Sequence, residues 1–520
     1  MTGYGVLLRS FLRRDWWQVL AWTVGITILY WSQAVSVDGL YKTQAELDKV
    51  AATLVDNSAF IALAGPTRAL NTIGGQVFWQ ASAFGAVLIA LMAMFLVGRH
   101  TRAEEESSRG ELVRSQPVGR YAQVAAAATL AGGACLVVGI VLAVALATYP
   151  LAVADSIATG LGLTLVGWTF TGVALLAAQL VGSTRAAYGM TGAAIGVAYG
   201  LRAIGDVAGS GLSWLSPIGW YQAMYPFSGL RWWPAGLLVA ATALNTAVAC
   251  AVLVRRDYGA GLLADRPGPA RGRLGSGLAL AWRLQRSAIV WWTAGLLVGG
   301  LAFGSIGNDV GALIGDSATT REVFVGSGDV VDGFYATALL MMALLATGFA
   351  ISSALRPRGE EDDGTLELLL STGLSRARWL AGHVVLTGVG AVVVLAAGGL
   401  GIGVGYSLAT GSWDHSMRFS LPVLEYVAPV FLCAAVAWLL LALVPRAAVL
   451  AWAVLAWAFV VMMFGPLWSI PDALQRLSPF DALASAPAEP VAALPILTVA
   501  VVAAAVTAAA FGAFRRRDIG

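Results

Sequence analysis

Between Arg102 and Arg120 the chain reads R-A-E-E-E-S-S-R-G-E-L-V-R-S-Q-P-V-G-R, and between Arg358 and Arg376 it reads R-G-E-E-D-D-G-T-L-E-L-L-L-S-T-G-L-S-R. Set against each other without a gap, the stretches match Arg102 with Arg358, Glu104 with Glu360, Glu105 with Glu361, Glu111 with Glu367, Leu112 with Leu368, Ser115 with Ser371 and Arg120 with Arg376. Average residue usage would give roughly one or two identities in such a window by chance. The chain therefore consists of two related halves, and what they share most plainly is a polar loop between long apolar segments.

Hydrophobic residues make up 58% of the 520 residues and charged residues only 12%. Apolar runs long enough to cross about 30 Å of hydrocarbon as helices recur along the whole length. They predict spans near 17–36, 77–98, 122–148, 157–182, 187–206 and 234–254, then 288–306, 333–355, 380–408, 421–444, 447–468 and 491–514. The expected fold is an all-α polytopic membrane protein with twelve transmembrane helices, six in each of two repeats. Arg9, Arg13 and Arg14 precede the first apolar segment, which is too long for a signal-peptide core and lacks a small-residue cleavage site, so it reads as a retained span. Cys135, Cys250 and Cys433 each sit inside an apolar run, which argues against disulfides and a metal cluster.

Orientation follows from arginine, because the net charge of +3 is uninformative and Lys42 and Lys49 are the only lysines. Arg9 to Arg14, Arg99 to Arg120, Arg185, Arg255 to Arg286, Arg356 to Arg378, Arg446 and Arg515 to Arg517 lie on one side. They alternate with acidic segments holding Asp38, Asp48 and Asp56, then Asp309, Asp316, Asp329 and Asp332, then Asp472, Asp481 and Glu489. Both termini and both repeated loops are thus expected in the cytoplasm. Further matches keep the same order: Trp22-Thr23-Val24-Gly25 with Trp292-Thr293-Ala294-Gly295, Arg185-Ala186-Ala187 with Arg446-Ala447-Ala448, Leu215-Ser216-Pro217 with Leu477-Ser478-Pro479, and Arg255-Arg256-Asp257 with Arg516-Arg517-Asp518. An even number of spans per half makes the repeat parallel rather than inverted. The Pro- and Gly-containing linker at 258–277 divides the chain into a first half, 1–265, and a second, 266–520.

Within the loop, acids mixed with Leu112 and Val113, or with Leu366 and Leu368 to Leu370, suit a short amphipathic helix with its acids near the positive end of the dipole. In a single copy such a charge run would be read as a solvated face. Solubility alone does not require Glu-Leu at one fixed position in both halves, so the loop reads as a docking element.

The R-x-E-E-x-x-x-x-x-E-L pattern with its trailing Arg, the L-S-P after each fifth span and the R-R-D after each sixth make the chain similar, over essentially its full length, to the permease subunits of ABC-2 class ATP-binding-cassette exporters. Among these it resembles the large fused permeases of polyketide-antibiotic exporters of the tetronasin type. The resemblance implies that about 102–115 and 358–371 are coupling helices seated in a cleft of an ATPase. Arg102, Glu104, Glu105, Glu111, Leu112, Arg120, Arg358, Glu360, Glu361, Glu367, Leu368 and Arg376 would then be the ATPase-coupling residues. It also implies amphipathic interfacial helices before the first span of each half, for which Leu7 to Trp17 and Leu278 to Arg286 are placed. A bacterial plasma membrane is the expected location. The second copy departs from the first by Gly373 in place of Pro117.

Neither Lys42 nor Lys49 lies in a Gly-x-x-x-x-Gly-Lys-Ser/Thr context, so a Walker-type ATP site is not expected in this chain. The expected partners are two copies of a cassette ATPase, which would bind ATP and Mg, together with membrane lipid and an amphipathic small molecule. No cofactor, resident metal or nucleic acid is expected. Arg202 and Asp206, four residues apart in the fifth span, read equally as a structural ion pair or as an outer gate. Glu425 is a similar, weaker case, and His383 is expected near enough to the cytoplasm to be solvated. The run from Gly398 to Gly405 reads as a close helix contact, and Trp214, Trp220, Trp232 and Trp233 as interfacial anchors.

Three classes compete for the function. An exporter permease for amphipathic compounds such as polyketide or ionophore antibiotics fits the loops. A proton- or ion-coupled secondary drug transporter also commonly has twelve spans in two parallel halves, but usually shows buried acids that these spans nearly lack. A membrane-embedded lipid enzyme would need convergent His, Asp or Glu, whereas His100, His383 and His415 are scattered.

Overall fold

A computed structural model describes residues 2–41, 43–54, 58–107, 115, 117–257, 259–263, 276–306, 329–468 and 471–517. The described residues form helices and turns with no strand, and the chain divides into two compact units, Met1–Gly268 and Pro269–Gly520.

In the first unit the long helices are α1 (Tyr4–Leu40), α4 (Ile73–His100), α6 (Ala122–Thr148), α7 (Val153–Leu180), α8 (Thr184–Val207) and α10 (Trp233–Arg255). Short helices α2 (Gln44–Leu54), α3 (Ser58–Ala64), α5 (Arg102–Glu106) and α9 (Pro217–Gln222) join them. Their starts carry hydroxyl caps: Thr72 accepts from the Gly75 amide at 3.0 Å, and Ser183 from that of Ala186 at 3.2 Å. The core centres on α4 and α7, which are the most enclosed. α6 meets α7 through Gly139 and Gly160, where a Cβ on Gly139 would stand 2.4 Å from the Gly160 carbonyl oxygen. Only glycine permits that approach.

The second unit comprises α11 (Gly277–Gly304), α12 (Val330–Ala354), α13 (Arg356–Asp362), α14 (Thr365–Leu370), α15 (Arg376–Thr410), α16 (Ser416–Ser420), α17 (Val427–Leu443), α18 (Ala451–Trp468), α19 (Asp472–Gln475) and α20 (Ala493–Arg516). The expected glycine contact is present. α11 and α15 form the most extensive helix pair in the molecule, and Gly300, Gly304, Gly401 and Gly405 each face the opposing backbone. Gly411 in the left-handed region (φ 72°) stops α15.

Among the described residues, eleven helical stretches are long and apolar enough to cross a membrane. The twelve-span expectation falls one short at 187–206. That segment is helical, within α8, but the helix carries Arg185, Arg202 and Asp206 and is not among the stretches apolar enough to count as a span. Two further expectations are corrected. Leu7 to Trp17 and Leu278 to Arg286 are not separate interfacial helices but the first turns of α1 and α11, since no Pro interrupts either segment. The second loop is not one amphipathic helix: Gly364, at φ 68°, breaks it into α13 and α14.

Candidate functional site

The first repeated loop begins where α4 ends. Arg102 is buried and fully engaged: Nε donates to the Ala178 carbonyl at 2.5 Å, Nη2 to that of Ala260 at 2.9 Å, and Nη1 to Glu105 Oε2 at 2.9 Å. Glu105 also takes Arg256 Nη2 on Oε1 at 2.6 Å, and Arg256 Nε reaches Gln179 Oε1 at 2.6 Å. From the far end of the loop, Arg120 Nη2 donates to the carbonyls of Leu253 at 3.0 Å and Val254 at 2.7 Å. These belong to the last turn of α10, whose carbonyls have no helical partner and whose dipole favours a cation. Glu104 is paired with Arg14 of α1 at 2.5 Å, and Glu106 accepts the Thr184 amide at the start of α8 at 3.0 Å. Glu111 and Leu112 lie outside the described residues.

The second loop repeats part of this. Glu361 pairs with Arg517, Arg517 Nη1 donates to the Leu441 carbonyl at 2.9 Å, and Arg376 Nη1 donates to the Arg517 carbonyl at 2.7 Å. Glu360 accepts from Trp379 Nε1 at 3.1 Å and stands 3.4 Å from His383 Nε2. Arg358 does not copy Arg102: its ion pair, at 3.4 Å, is with Asp362 of the same helix, α13. On α14, Leu366 is buried while Glu367 and Leu368 point away from the unit, with 71% of Leu368 exposed.

Three motifs that are far apart in each half thus converge. The second Glu of the E-E pair, the trailing Arg and the middle residue of R-R-D form Glu105, Arg120 and Arg256 in the first unit and Glu361, Arg376 and Arg517 in the second. The sequence shows R-R-D as a repeat and assigns it no contact. The missing signal was its charge complementarity to the loop.

Behind each loop lies a buried polar cluster. In the first unit Asp15, fully enclosed, pairs with His100 and with Arg99 Nη1 at 3.0 Å. In the second, the position matching Asp15 in the Trp22 to Trp292 register is Gln285, which accepts from Ser353 Oγ at 2.5 Å and meets His383 Nδ1 at 3.1 Å. His383 is therefore buried, against the expectation of a solvated side chain, because Trp379 and the loop acid close over it.

Arg202 and Asp206 take no part in the loops. The two stand 3.8 Å apart, as their spacing suggests, and Arg202 Nη1 and Nη2 donate to the carbonyls of Ile61 at 3.3 Å and Leu63 at 3.1 Å while the guanidinium lies over the Tyr199 ring. Arg202 thereby satisfies the end of α3. Met463 and Leu467, its repeat counterparts with Asp206, have side chains outside the described set. Glu425 is buried next to Tyr426. A crevice of about 470 Å³ between α1, α4 and α8 is lined by Trp17, Trp22, Phe95, Arg99 and Tyr188, an aromatic surface with one cation that composition alone did not locate.

A family model described as the C-terminal domain of the multidrug efflux system permease Rv1217c matches residues 274–515. Over 525 aligned residues the chain is 35% identical to the multidrug efflux system permease protein Rv1217c of Mycobacterium tuberculosis, covering 100% of this chain and 95% of that relative.

Proposed function

Since the chain belongs to the family of multidrug efflux permeases that includes Rv1217c, we propose that it is the membrane-spanning subunit of an ATP-driven exporter of amphipathic compounds, polyketide or ionophore antibiotics among them. Separate cassette ATPases, one for each half, bind ATP and Mg and dock on the repeated loops in the cytoplasm of a bacterial cell, where both termini also lie. The observation that carries this reading is the loop itself. It occurs twice, is built on matching Glu and Arg contacts, and in the second half leaves Glu367 and Leu368 exposed together. An apolar side chain beside an acid, outside the spans, suits a partner that offers an apolar pocket rimmed by basic groups. The aromatic crevice of the first half suits an amphiphile whose apolar body needs little directional contact.

Purified alone, the chain is expected to hydrolyse no ATP, and with a co-purifying cassette ATPase it should show turnover that transported amphiphiles such as ethidium stimulate. Glu367→Lys combined with Leu368→Asp should weaken that association about tenfold or more while expression is unchanged, because neither side chain is packed in the unit. Turnover by the isolated chain, or ethidium efflux that depends on a proton gradient and not on ATP, would select the secondary-transporter reading instead.

The orientation is checked separately. A cysteine replacing Asp48 should react with an impermeant thiol reagent in intact cells, and one replacing Asp363 should react only after permeabilisation. The opposite pattern would put the loops outside and end the docking proposal.

A further inference from the structure

We propose that Glu105 with Arg256, and Glu361 with Arg517, are positioning pairs that fasten each loop to the end of the last helix of its half, so that an ATPase displacing the loop moves α10 or α20 with it. The proposal rests on the loops being docking elements, and adds where the displacement goes.

Most contacts of the two loops have diverged. Glu104 meets Arg14 on the first helix of its unit, whereas Glu360 meets Trp379 and His383 on the helix that follows the loop. Arg102 reaches two carbonyls and Glu105, whereas Arg358 stays on its own helix. If the loops only needed to be held somewhere, the attachment to the last helix could have changed in the same way. It has not: the same glutamate position meets the same arginine position in both units.

In the first half the attachment is also built to resist rotation. The Glu105 carboxylate takes two Arg256 nitrogens, at 2.6 and 3.2 Å, and a two-pronged contact of this kind fixes direction as well as distance. A second arginine from the other end of the loop, Arg120 or Arg376, holds the backbone of the same helix terminus. Both side chains of the Glu105 pair are nearly enclosed, at 7% and 4% exposure, so water does not compete for the contact. A buried ion pair contributes little net stability but specifies geometry, because either partner left alone is strongly unfavourable. For the same reason Glu105 is a poor docking contact: an ATPase cation would have to displace a guanidinium already in place. Contact with the partner therefore falls to exposed positions such as Glu367 and Leu368, and the inward glutamate passes the motion on.

The test uses the full chain assembled with its cassette ATPases, reading ethidium efflux per ATP hydrolysed at equal amounts of complex. Glu361→Arg and Arg517→Glu should each lower that ratio about tenfold, because each sets like charges against one another where the loop meets the last helix, and the combined reversal should restore most of it. Because a single reversal could also disturb folding, a second arm replaces both partners of the other pair by cysteine. The Glu105→Cys/Arg256→Cys chain should be poorly coupled, and joining the two thiols with a bifunctional methanethiosulfonate of the pair's length should restore efflux. Linked chains that still bind and stimulate the ATPases but have lost efflux would overturn the proposal, since loop and helix would then have to separate. Single reversals with native efflux per ATP would overturn it equally. A native chain that assembles with no cassette ATPase would instead defeat the docking reading beneath it.

Discussion

Gly401→Leu is expected to prevent the second half from folding, so that no monodisperse protein is recovered in detergent, while Gly295→Leu leaves recovery and thermal stability unchanged or slightly raised. Both glycines lie within long apolar helices, and composition does not distinguish them. Their surroundings do. A Cβ on Gly401 would stand 2.4 Å from the Leu297 carbonyl oxygen, 2.9 Å from the Leu301 nitrogen and 3.0 Å from the Gly300 Cα, all backbone atoms of the facing helix. Around Gly295 nothing lies within 4 Å. Extra carbon in a core that can yield costs about 1–3 kcal/mol. A backbone cannot yield without parting the whole α11 and α15 contact, so the loss should exceed that range. At the open position the change removes only a flexible residue, worth up to about 1 kcal/mol of helix propensity. Size-exclusion profiles and melting temperatures of the two variants check the contrast, and equal behaviour would remove glycine contact as the basis of the second unit.

Arg202→Leu should release the 58–64 segment. The substitution leaves the Ile61 and Leu63 carbonyls without their guanidinium partner and Asp206 without its counter-charge, a loss of about 3–5 kcal/mol for a buried charge whose partner is removed. Tyr199 keeps one bond to the Leu63 carbonyl, at 2.6 Å, so local opening rather than global unfolding is the expected result. A cysteine at Ala64, buried in the native chain, should be protected from an impermeant thiol reagent and become reactive when Arg202→Leu is added. If protection is unchanged, Arg202 does not hold this segment, and a role as a gate regains its place.

Much of the architecture could be read from the apolar runs because a membrane span is a matter of length and hydrophobicity alone. The predicted 122–148 agrees with α6 at Ala122–Thr148, and 77–98 falls inside α4. Where polar groups decide, the reading was less complete. The apolar pattern places α8 with the spans although Arg202 lies among backbone carbonyls of α3, and it gives no sign of α2 and α3 between the first two spans. At the site, the repeat singles out Glu105, Glu361, Arg120 and Arg376, but periodicity cannot tell an acid turned outward from one turned inward. Glu367 and Glu361 have the same charge and opposite surroundings, and only the approach of Arg517, far away in sequence, separates them.

The differences between the two buried clusters bear on how such a chain can be altered. In the first half a fully enclosed aspartate answers a histidine and an arginine, and in the second an amide and two hydroxyls occupy the corresponding space. Once both copies travel in one polypeptide, neither has to suit two environments, and each is free to accumulate changes that its sister does not share. A gene encoding the first half twice would duplicate Asp15, His100 and Arg202 and would omit Gln285, His383 and the Gly300 to Gly401 seam, so tandem copies are not expected to stand in for the natural chain. The glutamate and two arginines at each loop are matched not only in sequence but in the contacts they make, which the buried clusters are not.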